Sequence, residues 1–355
     1  MNDDSKAKIK TERVADVVPP KPTDIELHLR QRVAQLLSEN ASLHRERGSL
    51  AIIAEDIKSV IIADPPRKVI YRPPSKVMVK SPVSAVLGAA DWHGGAVQEP
   101  DEIEGFDEYG PDILWDGVMN RLVPSLLKKF EIQRLGGYTL DELVVLGLGD
   151  MINGDIQDNR VTNAFPSPKQ VVYAADLFTE MVLAFAPHFP KVRVEFMTDD
   201  NHGRLTKKPQ CKQGGLNNLC YLVGMMAKAR LERQKNVEFN VHPMYQKTVE
   251  VKKRRYLLAH GHNVSGWLGF PYYGIERMAA KEAFKRMVRR LGEFDKVVCG
   301  HWHAPLEHEW YIICGSAQGT DAYDHRSGRS ARGMQTAWFV SPTHGEFDKT
   351  NWVLR

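Results

Sequence analysis

Cysteine is scarce in this chain of 355 residues: there are four, and no two of them form a CxxC pair. Cys211, Cys220, Cys299 and Cys314 therefore offer neither a zinc knuckle nor the paired spacing of a disulfide framework. Reduced thiols are expected, two of them inside apolar runs that read as buried strands. No run of eighteen apolar residues occurs, which excludes an ordinary membrane-spanning helix. Met1 to Lys10 is mostly charged or polar and holds no apolar stretch to act as a secretion signal. The expectation is a soluble, cytoplasmic protein with no membrane partner. No internal repeat is visible either.

Net charge is also in short supply. The formal total is +4, with 15 Lys and Arg against 11 Asp and Glu in residues 1–82 and 33 against 33 beyond them. A neutral bulk neither requires nor excludes a phosphate-backbone partner, because a local patch decides that. What the chain does have is an ordinary 43% of hydrophobic residues, enough for a sizeable core.

Residues 1–23 are charged, contain Pro19, Pro20 and Pro22, and read as a mobile tail. From 24 to 63 the pattern is helical: Asp24 is an N-cap, and Leu29, Leu36, Leu43 and Leu50 recur by sevens with Val33 and Asn40 on the alternate seam. Two readings stay open, an amphipathic helix lying on the main domain or a parallel coiled-coil homodimer. Pro65 and Pro66 stop the helix, and residues 64–82 form a basic, proline-punctuated linker. The main domain, 83–355, mixes strand-like and helical segments, an α/β (α+β) composition.

Within that domain, apolar runs end on a particular set of side chains. Val83 to Ala90 delivers Asp91-Trp92-His93, and Leu143 to Gly149 delivers Asp150. Val192 to Met197 leads to Asn201-His202, Thr248 to Ala259 to His260-Gly261-His262, and Lys296 to Cys299 to Gly300-His301-Trp302-His303. Oxygen and imidazole donors without cysteine suit manganese, iron, zinc or nickel rather than a closed structural zinc site. Strand alternation is expected to put Asp91 with His93, and His301 with His303, on one face. Two cations about 3.5 to 4 Å apart need a shared carboxylate, and Asp150 is the natural bridge.

The order Asp-x-His, Gly-Asp, Asn-His, His-Gly-His, Gly-His-x-His resembles the calcineurin-like metallophosphoesterase superfamily over about residues 83 to 320. The resemblance implies a four-layer sandwich, two central mixed β-sheets flanked by helices. It implies two divalent metal ions, manganese foremost. Asp91, His93, Asp150 and His303 would hold one, and Asp150, Asn201, His260 and His301 the other. A metal-bridging hydroxide would then attack phosphorus, with His202 as the catalytic non-ligand histidine. His262 is assigned to substrate or to the surroundings of the metals. Where the family has an acidic residue after Asn-His this chain has Gly203, which leaves Asp200, Asp199 or a distant carboxylate to orient His202.

Arg204, Lys207, Lys208 and Lys212 follow His202, and Arg326, Arg329 and Arg332 lie further on; either loop is a candidate contact for a polyanion. Lys252-Lys253-Arg254-Arg255 reads as a hairpin turn rather than a nucleic-acid patch. Trp92, Trp267, Phe270, Tyr272 and Tyr273 are candidates for stacking on a base or lining a pocket. The leading expectation is a phosphodiesterase or nuclease acting on DNA or RNA, near the DNA-repair nuclease branch, which by analogy brings an ATPase partner. The alternatives are a phosphomonoesterase or nucleotide phosphatase, and a metal-binding scaffold that has lost catalysis.

Overall fold

In the computed structural model the described residues are 31–33, 35–40, 68, 70, 71 and 81–355 without 268 and 269. Contacts divide the chain into two units, Met1–Glu55 and Asp56–Arg355. In the first, residues 31–33 and 35–40 are helical, with Val33, Leu36 and Leu37 exposed. The tail, Asp24, Leu29, Leu43 and Leu50 of the heptad, and most of the linker lie outside the described residues.

The second unit runs in this order: β1 (Ser81–Ala89), α1 (Pro111–Asp116), α2 (Val123–Leu135), β2 (Tyr138–Gly147), α3 (Ser167–Phe185), β3 (Lys191–Met197), α4 (Leu219–Arg230), β4 (Val237–His242), β5 (Gln246–Val251), β6 (Arg254–Ala259), α5 (Tyr272–Arg289), β7 (Lys296–Cys299), β8 (Leu306–His308), β9 (Tyr311–Ile313), α6 (Ala322–Arg326), β10 (Met334–Ser341) and β11 (Gly345–Val353). A π-helical stretch, Gly117–Leu122, joins α1 to α2. One sheet has the order β11-β10-β1-β2-β3-β4 and the other β5-β6-β7-β9-β8. Both are mixed: β1 to β4 pair in parallel, as do β6, β7 and β9, while β10, β11, β5 and β8 add antiparallel pairs.

Strand alternation explains the layering. On β2, Leu143 and Val145 join the cluster that includes Val118, Phe130, Phe178 and Val223 of the helices, whereas Val144 and Leu146 join one with Leu258, Val298 and Ile312 of the second sheet. On the second sheet, Leu257, Val297 and Ile313 pack with Ile275 and Ala279 of α5. Helices, sheet, sheet and helix therefore stack as four layers. Both faces of each sheet are covered, which is why the ends of β1, β2 and β7 read as apolar runs. Burial of each Val or Leu contributes about 1.5 to 3 kcal/mol.

Local capping chemistry sets where two of the helices begin. Helix α3 starts at Ser167 with Pro168 in its first turn, and α4 starts at Leu219, where the Asn218 side chain accepts from Cys220 N at 2.8 Å. Strands β4, β8 and β11 are only partly buried, so their apolar signal in the sequence is weak. The basic run is a hairpin turn between β5 and β6, with Lys252 and Lys253 both at positive φ, 50° and 72°. All four cysteines are free; Cys211 is exposed and the other three are buried.

Candidate metal centre

The five motifs converge at the carboxyl ends of the strands. Asp91 and His93 follow β1, Asp150 follows β2, Asn201 and His202 follow β3, His260 and His262 follow β6, and His301 and His303 follow β7. Parallel pairing of β1 with β2, of β2 with β3, and of β6 with β7 makes these ends neighbours. Backbone bonds then lace the loops together: His93 N donates to Asp150 O at 2.9 Å, Gly300 N to His260 O at 3.0 Å, and Ala317 N to Asp91 O at 3.1 Å.

Alternation along a strand is not what brings Asp91 to His93 or His301 to His303. β1 stops at Ala89 and β7 at Cys299, so all four side chains stand on loops. Left-handed backbone does the work instead: φ is 52° at Asp91, 44° at His93, 49° at Asp150, 71° at His301 and 58° at His303. Such conformations cost on the order of 1 to 3 kcal/mol each and persist where the surrounding structure imposes them, which is commonest at functional sites. Gly149 is needed for the same packing. Its φ is 93°, and a Cβ there would lie 2.7 Å from His260 Nδ1.

The side chains form two groups whose donor atoms lie within 4.8 Å of one another: Asp91, His93 and His303, and Asp150, His260 and His301. A third such group, His93, Asp150 and His202, links them. Asn201 Oδ1 is 3.0 Å from His260 Nε2, which is itself 2.9 Å from Asp150 Oδ2. In the first group His93 Nε2 stands 3.1 Å from His303 Nε2, and the buried His93 Nδ1 has no hydrogen-bond partner. This set fits borderline divalent cations: carboxylate, amide and imidazole donors crowd together in the protein interior, with an orphaned ring nitrogen among them.

Electrostatics follow from that crowding. Burial pushes the Asp91 carboxyl up to about 7, against the opposing pull of His260 and His303. Burial would also raise Asp150, but His260 and His202 outweigh it and hold that carboxylate well below its usual range. Burial lowers His93 and His301 well below the ordinary imidazole value, leaving neutral rings with a free lone pair. At His260 and His303 burial opposes the charge, yet Asp150 beside one and Asp324 beside the other keep both at about 10.

His202 is oriented by a backbone carbonyl. Its Nδ1 lies 2.8 Å from Asn153 O, and the His202 backbone N–H donates to Asp150 Oδ1 at 3.0 Å. Neither Asp199 nor Asp200 takes the place of the missing acidic neighbour. Asp200 instead braces the ligand loops, accepting from Asp150 N at 3.0 Å, Gly203 N at 2.8 Å and Asn218 Nδ2 at 3.0 Å. Burial and the adjacent Asp200 raise Asp199 to about 6.

A cavity of about 510 Å³ opens over the centre, lined by Asp150, Asn201, His202, His301 and His303 and walled by Trp302 and Arg329. A second, of about 320 Å³, contains His262, Asp199, Arg204 and Tyr245. His262 belongs to neither ligand group; burial and His260 lower it to about 4. Arg204 donates to the carbonyls of Thr206 and Lys207 within its own loop, while Lys207 and Lys208 are exposed and line neither cavity. Trp92 is a core residue, fully buried against Phe178 with Nε1 donating to Gln335 Oε1 at 3.0 Å. Trp267, Phe270, Tyr272 and Tyr273 are exposed.

Sequence reasoning missed Asp324. Its Oδ2 lies 2.5 Å from His303 Nδ1, its Oδ1 meets Arg329 Nη2 at 2.7 Å, and its N–H donates to the helix-capping Asp321 at 2.7 Å. The available signal was Asp321-x-x-Asp324, a helix-start pattern outside any apolar run.

No protein-family model and no curated protein matches the chain. Similar solved structures include Vps29 complexed with zinc from Entamoeba histolytica, at 10% identity over 76% of this chain and 99% of that one, TM-score 0.28. A conserved uncharacterized protein from Streptococcus pneumoniae, described as a predicted phosphoesterase, is 11% identical over 76% and 98%, TM-score 0.26. The sulfate thiohydrolase SoxB from Thermus thermophilus, in complex with glycerol, is 10% identical over 80% and 57%, TM-score 0.31. At such scores the likeness carries no argument about chemistry. The two mixed sheets between helices are the four-layer arrangement expected from the sequence. No helix among the described residues is long and apolar enough to cross a membrane.

Proposed function

We propose that the chain is a dimetal phosphodiesterase acting on DNA or RNA. One observation carries the reading: two buried ligand groups, joined through Asp150 and His93, lie under an open cavity that also holds His202. Asp91, His93 and His303 would hold one cation, Asn201, His260 and His301 the other, and Asp150 would serve both. When bound, two divalent cations acidify water to a nucleophile near neutral pH and screen the phosphoryl charge. The protein's own part is positioning and proton transfer. With Nδ1 committed to the Asn153 carbonyl, His202 has Nε2 left to give a proton to the leaving oxygen. Asp324 fixes the His303 ring through Nδ1, leaving Nε2 for the cation. Lys207 and Lys208 are contacts for flanking phosphates, and manganese is the proposed metal.

Hydrolysis of a generic phosphodiester and of single- and double-stranded DNA and RNA, with and without manganese, tests this reading. Preference for mononucleotides over oligonucleotides would favour a phosphomonoesterase, and full metal content without turnover a scaffold. We also propose a homodimer through the leucine heptad, supported by the helical, exposed Val33 and Leu36. Sedimentation of the full chain and of residues 83–355 checks it.

A further inference from the structure

The segment from Trp267 to Tyr273 has four aromatic side chains at the surface: Trp267 is 75% exposed, Phe270 48%, Tyr272 46% and Tyr273 68%. Exposed rings in such number are costly to keep in water without a use. The described rings are held by local bonds. Trp267 and Phe270 exchange backbone hydrogen bonds at 2.8 and 3.0 Å, and the Phe270 and Tyr272 rings stack within 6° of parallel, 5.6 Å apart. Gly266, the residue before Trp267, packs against the cavity wall: a Cβ there would meet the Trp302 ring at 2.7 Å, and Trp302 lines that cavity beside His301 and His303.

Charge identifies the occupant. Helix α5 begins inside the aromatic segment, and residues 272–291 hold six Lys and Arg against two Glu. Arg277, Lys281, Lys285, Arg289 and Arg290 are exposed, while Ile275 and Ala279 face the second sheet. A second copy of so basic a surface would be repelled. Flat rings leading into a line of cations match a chain of bases joined by phosphates. In a duplex the base faces are already stacked on one another, and only an unpaired strand presents them.

We propose that Trp267, Phe270, Tyr272 and Tyr273, with Arg277 and Lys281, form a platform that binds single-stranded nucleic acid and leads it to the metal cavity. The proposal rests on the phosphodiesterase reading and narrows its substrate to unpaired strands. Fluorescence anisotropy of the manganese-loaded full chain, with a phosphorothioate thymidine oligomer of about 16 nucleotides and its duplex, measures it. The single strand binds more tightly than the duplex. Trp267→Ala and Tyr273→Ala each weaken single-strand binding by about fivefold to a hundredfold, the span expected for loss of one stacked base. Arg277→Glu with Lys281→Glu lowers both affinity and its salt dependence. Thermal unfolding confirms that the variants remain folded.

Unchanged single-strand binding in the aromatic variants overturns the proposal. So does an aromatic variant that loses only binding to phosphatidylserine vesicles, or only self-association in sedimentation, because the surface then serves a membrane or a second copy. Turnover of a small phosphodiester by the wild-type protein tests the underlying reading separately. Its failure beside platform-dependent binding refutes the enzyme and leaves the platform standing.

Discussion

Two clusters of buried charge sit on the same six-stranded sheet, and they are built on opposite principles. On β2 to β4, Arg193 bonds Glu142 at 2.9 Å and Glu195 at 2.8 Å, and Glu195 meets His242 at 2.6 Å. Each charge there has a partner of opposite sign on regular strand backbone. At the carboxyl ends of β1 and β2, carboxylates and imidazoles crowd together on left-handed loops, and a buried ring nitrogen is left without a partner. The first cluster satisfies itself, and the second is arranged for something brought from outside. Buried polar groups belong to folding when they close their own hydrogen bonds and to function when they do not.

Substitutions can break that contrast. The largest effect is expected at Asp150: Asp150→Ala takes metal-dependent phosphodiester turnover to background and lowers bound metal, read by elemental analysis. Turnover surviving with metal content unchanged would falsify the assignment. Next comes Asp324→Ala, which frees the His303 ring and weakens metal affinity by about 10- to 100-fold. Metal titration followed by calorimetry measures this without reference to turnover.

In the self-satisfied cluster, Glu195→Gln costs about 1 to 3 kcal/mol of stability and leaves metal affinity unchanged. It also alters the pH dependence. Burial would raise Glu195, but bonds from His242 and Arg193 overcome that and place its pKa below the ordinary glutamate value. Its stabilisation is therefore complete above the unfolded carboxyl pKa and is lost as pH falls through the lower folded one. Thermal melts across the acid range show a steeper fall in the wild type than in the variant. The smallest effect is at the hairpin turn: Lys253→Gly, at φ 72°, changes stability by no more than about 1 kcal/mol in the favourable direction. Oligonucleotide affinity stays the same, as a turn rather than a phosphate contact requires.

Most of the candidate centre was legible because the covered strands are apolar over their final residues, so a polar residue just beyond a strand end stands out. Asp91, His93, Asp150, Asn201, His202, His260, His301 and His303 all announce themselves in this way. Asp324 does not. It reaches His303 from a short helix outside any apolar run, and only folding makes the two adjacent. Trp92 misled for the converse reason: its neighbours in sequence are ligands, but its ring packs into the core and bonds Gln335. The partly buried edge strands β4, β8 and β11 lack a continuous apolar signal in the sequence.

Residue type and order along the chain were sufficient to specify the apolar strand runs and the chemistry of the donors that end them, because covalent succession ties each donor to one strand end; their division between two groups was implied only by the family resemblance. How the donors meet was decided by the tertiary structure. The left-handed loops, the Asn153 carbonyl on His202, the brace of Asp200 and the Asp324 support of His303 all join segments far apart in the chain. Pairing of β2 with β3 brings Asn153 to His202 and Asp200 to Asp150, and tertiary packing brings α6 to the loop after β7.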